Sequence, residues 1–167
     1  DLRARAAESV GGVLELGERR YRVRRAVRTD VASIVALLAD DELGATREGT
    51  DLAHYERVFD AISRDRAQYL AVVRDEQDRV VATMQLSIVP GLSRNGATRL
   101  QVEGVRVAGS ERSMGLGAAM LSWAHDHGRA RGAILSQLTT DRVRRRAHAF
   151  YDRLGYEASH VGFKRPL

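Results

Sequence analysis

Cysteine is absent from the sequence, and aromatic residues make up only 5% of it. Without cysteine the chain has no disulfide, no thiolate metal site and no thiol nucleophile. No run approaches the roughly 18 consecutive apolar residues of a membrane span, and segment 1–20 lacks the apolar core of a signal peptide. We therefore expect a cytoplasmic protein that does not associate with a membrane.

Size and composition suit one compact domain. With 167 residues, of which 44% are hydrophobic, the chain can bury one sizeable core. We expect residues 19–167 to form this domain and residues 1–18 to precede it as a poorly ordered extension. The net charge of +5 at pH 7 fits either a nucleic acid or a polyanionic cofactor, and charge alone does not separate the two.

The spacing of apolar residues predicts an alternation of strands and helices. Predicted strands are 21–27, 68–75, 79–89, 98–107, 133–140 and a final pair within 156–167. Predicted helices run from Thr29 or Asp30 to Leu38 and over 52–63, 114–132 and 142–154, whereas 39–51 is predicted as a loop. This order predicts an α/β domain with a mixed, largely antiparallel central sheet and helices on both faces.

The most informative segment runs from the strand at 98–107 through Arg112-x-x-Gly115-x-Gly117 into a helix. Glycines let backbone N–H groups approach a ligand, and a helix N-terminus adds unsatisfied donors and partial positive charge. Together these features favour a pyrophosphate-binding cradle. The alternative is an ordinary glycine-rich turn between a strand and a helix.

Gly104 interrupts an otherwise regular strand, which is typical of a β-bulge. A bulge there would splay two neighbouring strands and leave backbone groups of the 103–107 segment unpaired. Those groups could hydrogen-bond an extended pantetheine arm and polarise a thioester carbonyl. A glycine chosen only for packing is the alternative.

Tyr151 lies near the end of the last predicted helix, which closes with Leu154 and Gly155. It falls beside the apolar face of that helix, one turn after Ala147. Its side chain can therefore point into a neighbouring cleft.

These three segments resemble the GNAT superfamily of N-acetyltransferases. That family combines I-E-x-x-x-V, R/Q-x-x-G-x-G/A and A-x-x-x-Y-x-x-x-G-F/Y in this order, and the predicted element order also resembles it over roughly 20–167. The matching residues are Val102, Glu103 and Val107, then Arg112, Gly115 and Gly117, and finally Ala147, Tyr151, Gly155 and Tyr156.

The resemblance implies acetyl-CoA as cosubstrate. The backbone around Val105 would hold the pantetheine, the 112–118 segment would wrap the pyrophosphate, and Tyr151 would face the sulfur. This sequence departs from the family at Arg144, where the family often has asparagine, so the resemblance implies no cofactor contact for that side chain. The implied cofactor-binding residues are Val105, Arg106, Val107, Arg112, Ser113, Met114, Gly115, Leu116, Gly117 and Ala118.

Acetyl transfer to an amine needs a base, a donor to the oxyanion and an acid for the thiolate. We expect Glu103 to be the general base, directly or through a water, unless it is a structural carboxylate paired with Arg99, Arg106 or another arginine. Tyr151 is the expected general acid. The alternative is that this tyrosine only buries its ring at the end of the helix. A backbone N–H near Val105 would meet the oxyanion. Because the chain lacks cysteine, direct transfer in a ternary complex is favoured over a covalent acetyl-enzyme.

The remaining charged residues favour simpler interpretations. The histidines never fall at a metal-ligand spacing with carboxylates, so we expect no metal. The arginine run 142–146 is typical of a solvated helix face, although it could reach the 3′-phosphate of coenzyme A. The acidic residues of the loop 39–51 fit a cationic acceptor or a merely solubilising loop.

The leading hypothesis is thus an acetyl-CoA-dependent N-acetyltransferase that acts on a small-molecule amine or a protein amino group. A non-catalytic acetyl-CoA sensor or regulatory domain is the alternative. A nucleic-acid-binding module is disfavoured because the arginine run 142–146 contains no aromatic residue. The sequence is compatible with a homodimer and identifies neither the oligomeric state nor the acceptor.

Overall fold

A six-stranded sheet in the order β1-β2-β3-β4-β5-β6 forms the centre of the protein. A computed structural model describes residues 11–167, and residues 1–10 lie outside the described part. Each pair of adjacent strands from β1 to β5 is antiparallel, and β6 pairs parallel with β5. The strands are β1 (Gly12–Leu16), β2 (Arg19–Arg25), β3 (Gln68–Arg74), β4 (Val80–Val89), β5 (Arg99–Val107) and β6 (Leu135–Leu138). The predicted mixed, largely antiparallel sheet is confirmed.

Helices cover both faces of this sheet, as the sequence predicted. They are α1 (Val31–Ala39), α2 (Glu42–Arg47), α3 (Leu52–Arg64), α4 (Leu116–Arg129) and α5 (Arg145–Arg153). On one face, Met120 and Leu121 of α4 join the main core with strand residues such as Met84. On the other face, Ile34 of α1 and Phe59 of α3 pack around Val72. Among residues 11–167, no helix has the length and apolar character needed to cross a bilayer.

Helix α2 corrects the prediction of an unbroken loop over 39–51. The Asp41 side chain accepts a hydrogen bond from the Gly44 N–H at 2.5 Å and so caps the helix. Gly44 suggested a loop, but it is buried, and a Cβ there would lie 2.0 Å from the Leu38 carbonyl oxygen. The glycine therefore serves a close approach between α1 and α2, which sequence patterns do not reveal.

The two ends of the described chain also differ from expectation. Residues 12–16, assigned to the extension 1–18, form β1 and pair with β2. The predicted strand pair within 156–167 is wrong, because this described segment forms no strand. A strand is stabilised by packing one face, and here residues 157–167 are all exposed, with Phe163 94% accessible.

Candidate active site

The turn before α4 has the backbone that an anion cradle requires. Ser113 and Gly115 have φ values of 64° and 86°, and Gly115 is the N-cap residue of α4. Within residues 11–167, no side chain caps this 14-residue helix, so its first N–H groups have no side-chain partner there. Clustered N–H groups in such a turn, at the positive end of a helix dipole, attract phosphate oxygens. The predicted cradle at 112–118 therefore fits a pyrophosphate.

Gly117 has a different role in the same segment. A Cβ at this position would lie 3.1 Å from Cζ of Phe150 in α5, which is tighter than a normal contact. Phe150 packs against the main core. Gly117 therefore lets α5 approach the beginning of α4, which brings the two predicted motifs together.

Arg112 anchors the cradle to its surroundings. Its Nε donates a hydrogen bond to the Val107 carbonyl oxygen at 3.1 Å, and its Nη2 lies 3.3 Å from Oδ2 of Asp40. The guanidinium thus ties the turn both to the end of β5 and to the chain just after α1.

The bulge that the sequence predicted at Gly104 is present. Gly104 has a φ of 59°, and the β4–β5 register shifts there, with Gln85 opposite Glu103 and Thr83 opposite Arg106. Two residues of β5 therefore face one residue of β4. In the described chain, pairing between β5 and β6 ends at Val102 and Leu138, just before the bulge, which leaves a gap on that side of β5.

The bulge also decides which side chains share a face of the sheet. Paired residues in a ladder lie on the same face, and faces alternate along a strand. Because Gln85 and Thr83 are two positions apart in β4, their partners Glu103 and Arg106 lie on one face. Val105 and Val107 instead pack against the main core on the opposite face. The backbone of 105–107 thus borders the gap between β5 and β6.

Glu103 is exposed, and no ion pair involves it among the described residues. The alternative that it pairs with Arg99 or Arg106 as a structural carboxylate therefore finds no support in the contacts. Its role as a general base stays a prediction.

Tyr151 is largely buried beside the gap. Burial raises its pKa above the ordinary 10.0, and Tyr156 acts in the same direction, whereas the charges of Arg106 and Arg144 lower it. These interactions bring the α5 tyrosine close to the β5 arginine, although 45 positions separate them. The phenol stays protonated at neutral pH and can serve as a proton donor.

A tight turn after α5 supports Tyr151. Gly155 has a φ of 85°, and the Tyr156 N–H donates to the Tyr151 carbonyl oxygen at 3.1 Å. The two tyrosine rings pack edge to face with centroids 5.7 Å apart. The Tyr156 hydroxyl lies 2.6 Å from Ser136 Oγ and 2.7 Å from His125 Nε2. Sequence analysis found Tyr156 through its motif but missed both of these partners, which no local pattern indicates.

Three acidic residues of the 39–51 segment contact other side chains. Asp40 contacts Arg112, as described above, and Asp41 lies 2.6 Å from Arg144. Glu48 accepts a hydrogen bond from the Tyr55 hydroxyl at 2.6 Å. The neutral Tyr55 hydroxyl leaves the charge of Glu48 in place, so the segment keeps negative charge and a cationic acceptor stays a prediction.

The arginine run 142–146 is only partly a solvated face. Arg142, Arg145 and Arg146 are exposed, whereas Arg144 is half-buried and bound to Asp41. The pair is 103 positions apart in sequence, so no motif could have indicated it. Residues 11–167 contain no group of three or more His, Cys, Asp or Glu side chains placed to hold a metal ion.

A curled, largely antiparallel sheet with an uncapped helix N-terminus beside it offers a site for a ligand that contains phosphate groups. Residues 33–156 match the Acetyltransferase (GNAT) family, and the chain belongs to that family. The protein is therefore an acyltransferase with the GNAT fold.

Three relatives illustrate the range of similar proteins. A solved structure described as a transcriptional regulator from Bacillus halodurans C-125 is 35% identical, with a TM-score of 0.83 and coverage of 88% of this chain and 99% of that one. A putative acetyltransferase from Agrobacterium tumefaciens str. C58 is 25% identical, with a TM-score of 0.72 and coverage of 87% and 99%. The aminoalkylphosphonate N-acetyltransferase of Salmonella typhimurium is 43% identical over 56 residues, which are 34% of this chain and 36% of the relative. This chain thus spans about a third of the length of that curated relative.

Proposed function

We propose that the protein transfers an acetyl group from acetyl-CoA to the primary amine of an acceptor, by direct attack in a ternary complex. One observation carries the proposal: the uncapped N-terminus of α4, preceded by the left-handed residue Gly115, adjoins the gap that opens in the sheet beyond Val102. The anion cradle suits the pyrophosphate of a long thioester, and the strand edge beside it suits the extended arm that carries the thioester.

The chain's backbone would hold this cosubstrate, which supplies the activated acetyl group. N–H groups of the 112–118 segment would bind the pyrophosphate, and the 105–107 segment would bind the pantetheine amides as another strand would. A backbone N–H near Val105 would stabilise negative charge on the thioester oxygen.

Glu103 and Tyr151 would move the two protons. Glu103 is exposed and has no ion-pair partner among the described residues, so its carboxylate is available to remove a proton from the acceptor's ammonium group. Tyr151 keeps its proton because burial raises its pKa, and it would give that proton to the departing thiolate. No cysteine is available to carry the acetyl group, which favours direct transfer.

In this proposal the acceptor is an amine. The Salmonella relative is by name an aminoalkylphosphonate N-acetyltransferase, which supports a small amine, although the match covers 56 residues only.

A non-catalytic acetyl-CoA-binding regulator is the second candidate. The description of the Bacillus halodurans protein as a transcriptional regulator favours it, because that protein is 35% identical over most of this chain. A regulator needs the cradle alone, whereas the enzyme also needs Glu103 and Tyr151.

Release of free thiol from acetyl-CoA, measured across a panel of primary amines, tests the proposal. We expect acceptor-dependent release, and a loss of about 100-fold or more in kcat for Tyr151→Phe. Tyr69→Phe is a matched control because it also removes a buried hydroxyl, one that has no hydrogen-bond partner among the described residues. Saturable acetyl-CoA binding without release for any amine would instead favour the regulator, unless the panel lacked the acceptor.

A further inference from the structure

Two arginines from distant parts of the chain meet on the sheet face that carries α1 and α2. Arg106 extends from β5, and Arg144 precedes α5. Their side chains are 23% and 21% exposed, so both are largely withdrawn from water. They share one nearby carboxylate, that of Asp41.

That carboxylate does not satisfy both arginines. Arg144 Nη1 lies 2.6 Å from Asp41 Oδ2, whereas Arg106 Nε lies 4.0 Å from the same oxygen, which is too long for a hydrogen bond. The other Asp41 oxygen accepts the Gly44 N–H. Asp41 is thus committed to Arg144 and to the cap of α2.

Arg106 is left with an unused donor. Its Nη1 donates to the Val105 carbonyl oxygen at 2.9 Å, but its buried Nε has no hydrogen-bond partner among the described residues. A buried donor without a partner destabilises the folded protein, and a charged donor does so more strongly. Burial, and then the positive charge of Arg144, lower the pKa of Arg106. In the part of the chain that the structure describes, the Arg106 guanidinium therefore has no counter-ion within hydrogen-bonding distance.

This guanidinium lies beside the proposed reaction centre. Its charge acts on Tyr151, and the bulge places it on the same face as Glu103. The β4 partners of Glu103 and Arg106 are two positions apart, which corresponds to roughly 7 Å along a strand. A small molecule could thus present an amine to Glu103 and a second group to Arg106.

We propose that Arg106, with Arg144 beside it, binds an oxyanion of the acceptor, which is a small primary amine whose carboxylate or phosphonate group lies a few carbons from the nitrogen. This assignment rests on the proposed function. Guanidinium groups bind both kinds of oxyanion through parallel, charge-assisted hydrogen bonds. The bound oxyanion supplies a counter-charge to the part of the Arg106 side chain that stays exposed, and it offsets the repulsion between the two arginines.

Four acceptors with the same two-carbon chain test the assignment. β-Alanine and 2-aminoethylphosphonate carry a carboxylate and a phosphonate, ethanolamine is neutral at that end, and 1,2-diaminoethane is cationic. A hydrogen bond to a charged group contributes about 1.5–3 kcal/mol. We therefore expect kcat/KM for an oxyanionic acceptor to exceed that for ethanolamine by about 10- to 100-fold. The ratio between the first two acceptors identifies which oxyanion the site prefers.

Variants of Arg106 show whether this residue is responsible. In Arg106→Gln, the ratio of kcat/KM for an oxyanionic acceptor to that for ethanolamine should fall to nearly one. The KM for the oxyanionic acceptor should rise about tenfold or more, with the acetyl-CoA KM unchanged. Arg106→Lys should recover part of the preference because it keeps the charge. Arg129→Gln is the control, since its side chain is 71% exposed at the end of α4 and should behave as the native protein does. Equal use of ethanolamine and β-alanine, or a rise in the acetyl-CoA KM in place of the acceptor KM, would overturn the assignment.

A binding measurement separates this inference from the proposed function. With saturating coenzyme A present to fill the cradle, ethylphosphonate or propionate should raise the Tm of the native protein and leave that of Arg106→Gln unchanged. If this happens while no amine is acetylated, the oxyanion site stands and the enzymatic proposal fails. If ethanolamine and β-alanine are acetylated with equal kcat/KM and neither anion shifts the Tm, the enzymatic proposal stands and the oxyanion site fails.

Discussion

The hydroxyl of Tyr21 donates a hydrogen bond of 2.5 Å to the buried carboxylate of Glu111. Tyr21 lies in β2, and Glu111 lies in the short 3₁₀ turn that leads into the cradle. Arg19 adds a contact of 3.2 Å to the same carboxylate oxygen. Burial and the bond to Glu111 raise the pKa of Tyr21, which keeps its proton in place. Strand β2 thus fixes the position of the turn before the cradle through the Glu111 side chain.

Loss of this anchor should weaken cosubstrate binding. Glu111→Gln keeps the shape but removes the charge that binds Arg19, so we expect the acetyl-CoA KM to rise about 3- to 10-fold with a smaller change in kcat. Steady-state kinetics with varied acetyl-CoA measures this. Glu15→Gln is the control because its ion pair with Arg20 is 65% exposed on both sides. An unchanged acetyl-CoA KM in Glu111→Gln would show that the turn keeps its position without the anchor.

The alkaline limb of the pH profile should report Tyr151. If the protonated phenol is the general acid, kcat falls as pH rises through its pKa, which burial places above the ordinary 10.0. Activity should therefore persist to about pH 10 and decline beyond it. Arg106→Gln should move this limb to still higher pH, because the charge of Arg106 lowers the pKa of the phenol. The residual activity of Tyr151→Phe should show no alkaline decline in kcat. If the decline persists in this variant, it reports the pKa of another group.

Substitution of Glu103 tests the proposed base. Glu103→Gln keeps the size and removes the basic oxygen, so kcat/KM for the acceptor should fall about 100-fold while the acetyl-CoA KM stays constant. The exposed Glu18 in the β1–β2 turn provides the control variant Glu18→Gln. Nearly native turnover in Glu103→Gln would mean that the carboxylate is structural or that water accepts the proton.

The Gly104 bulge can be removed without reversing the faces of β5. Deletion of Gly104 would leave Val105 opposite Met84, and Arg106 opposite Thr83 as before. The straightened strand could then pair with β6 beyond Val102, which would close the gap between them. We expect a folded protein that has lost at least about 100-fold in kcat/KM for acetyl-CoA.

Gly104→Ala is the matched control for this deletion. A Cβ at this position would lie 3.7 Å from Leu38 Cδ2, an ordinary contact, so only the left-handed φ of 59° opposes it. The expected loss is about 1–2 kcal/mol of stability, with most activity retained. Chemical denaturation and thiol release measure the two effects. Near-native activity in the deletion variant would contradict a role for the bulge in cosubstrate binding.

Asp30 should contribute strongly to stability at neutral pH. Its buried carboxylate binds Arg24 at 2.9 Å, Arg74 at 2.6 Å and the Val27 N–H at 2.8 Å. Burial alone would raise the pKa of Asp30, but these contacts outweigh it and hold the pKa below 3.8. We expect Asp30→Asn to cost about 3–5 kcal/mol at pH 7, because two guanidinium groups lose their counter-charge.

The pH dependence of that difference has a defined sign. A carboxyl with a depressed folded-state pKa stabilises the protein above its unfolded value of about 3.9, and this contribution disappears as pH falls through the folded value. The difference in the free energy of unfolding between the native protein and Asp30→Asn should therefore become smaller below about pH 4. Urea unfolding at several pH values measures it. Asp126→Asn, in an exposed pair, should change stability by about 0.5 kcal/mol or less at every pH.

Most elements of the fold could be predicted from local sequence. The helices at α1, α3, α4 and α5 and the strands β2 to β6 follow from apolar spacing, because each element buries one face. Helix α2 was missed because Gly44 suggests a loop until its contact with the Leu38 carbonyl is known. The strand pair predicted within 156–167 failed for the converse reason, since suitable residues there find no surface to pack against.

The sequence by itself determined the chemistry available to this protein: no thiol, a glycine-rich turn before a helix, a glycine inside a strand and a tyrosine at a helix end. Each of these depends on neighbours within a few positions, and local backbone preferences are encoded there.

Only the tertiary structure decided how those parts face one another. The bulge places Glu103 and Arg106 on one side of the sheet, although a spacing of three would put them on opposite sides of a regular strand. The fold also brings Arg144 to Asp41 across 103 positions and leaves Arg106 Nε without a partner. Such relations depend on strand register and helix packing, which are set by contacts distant in sequence.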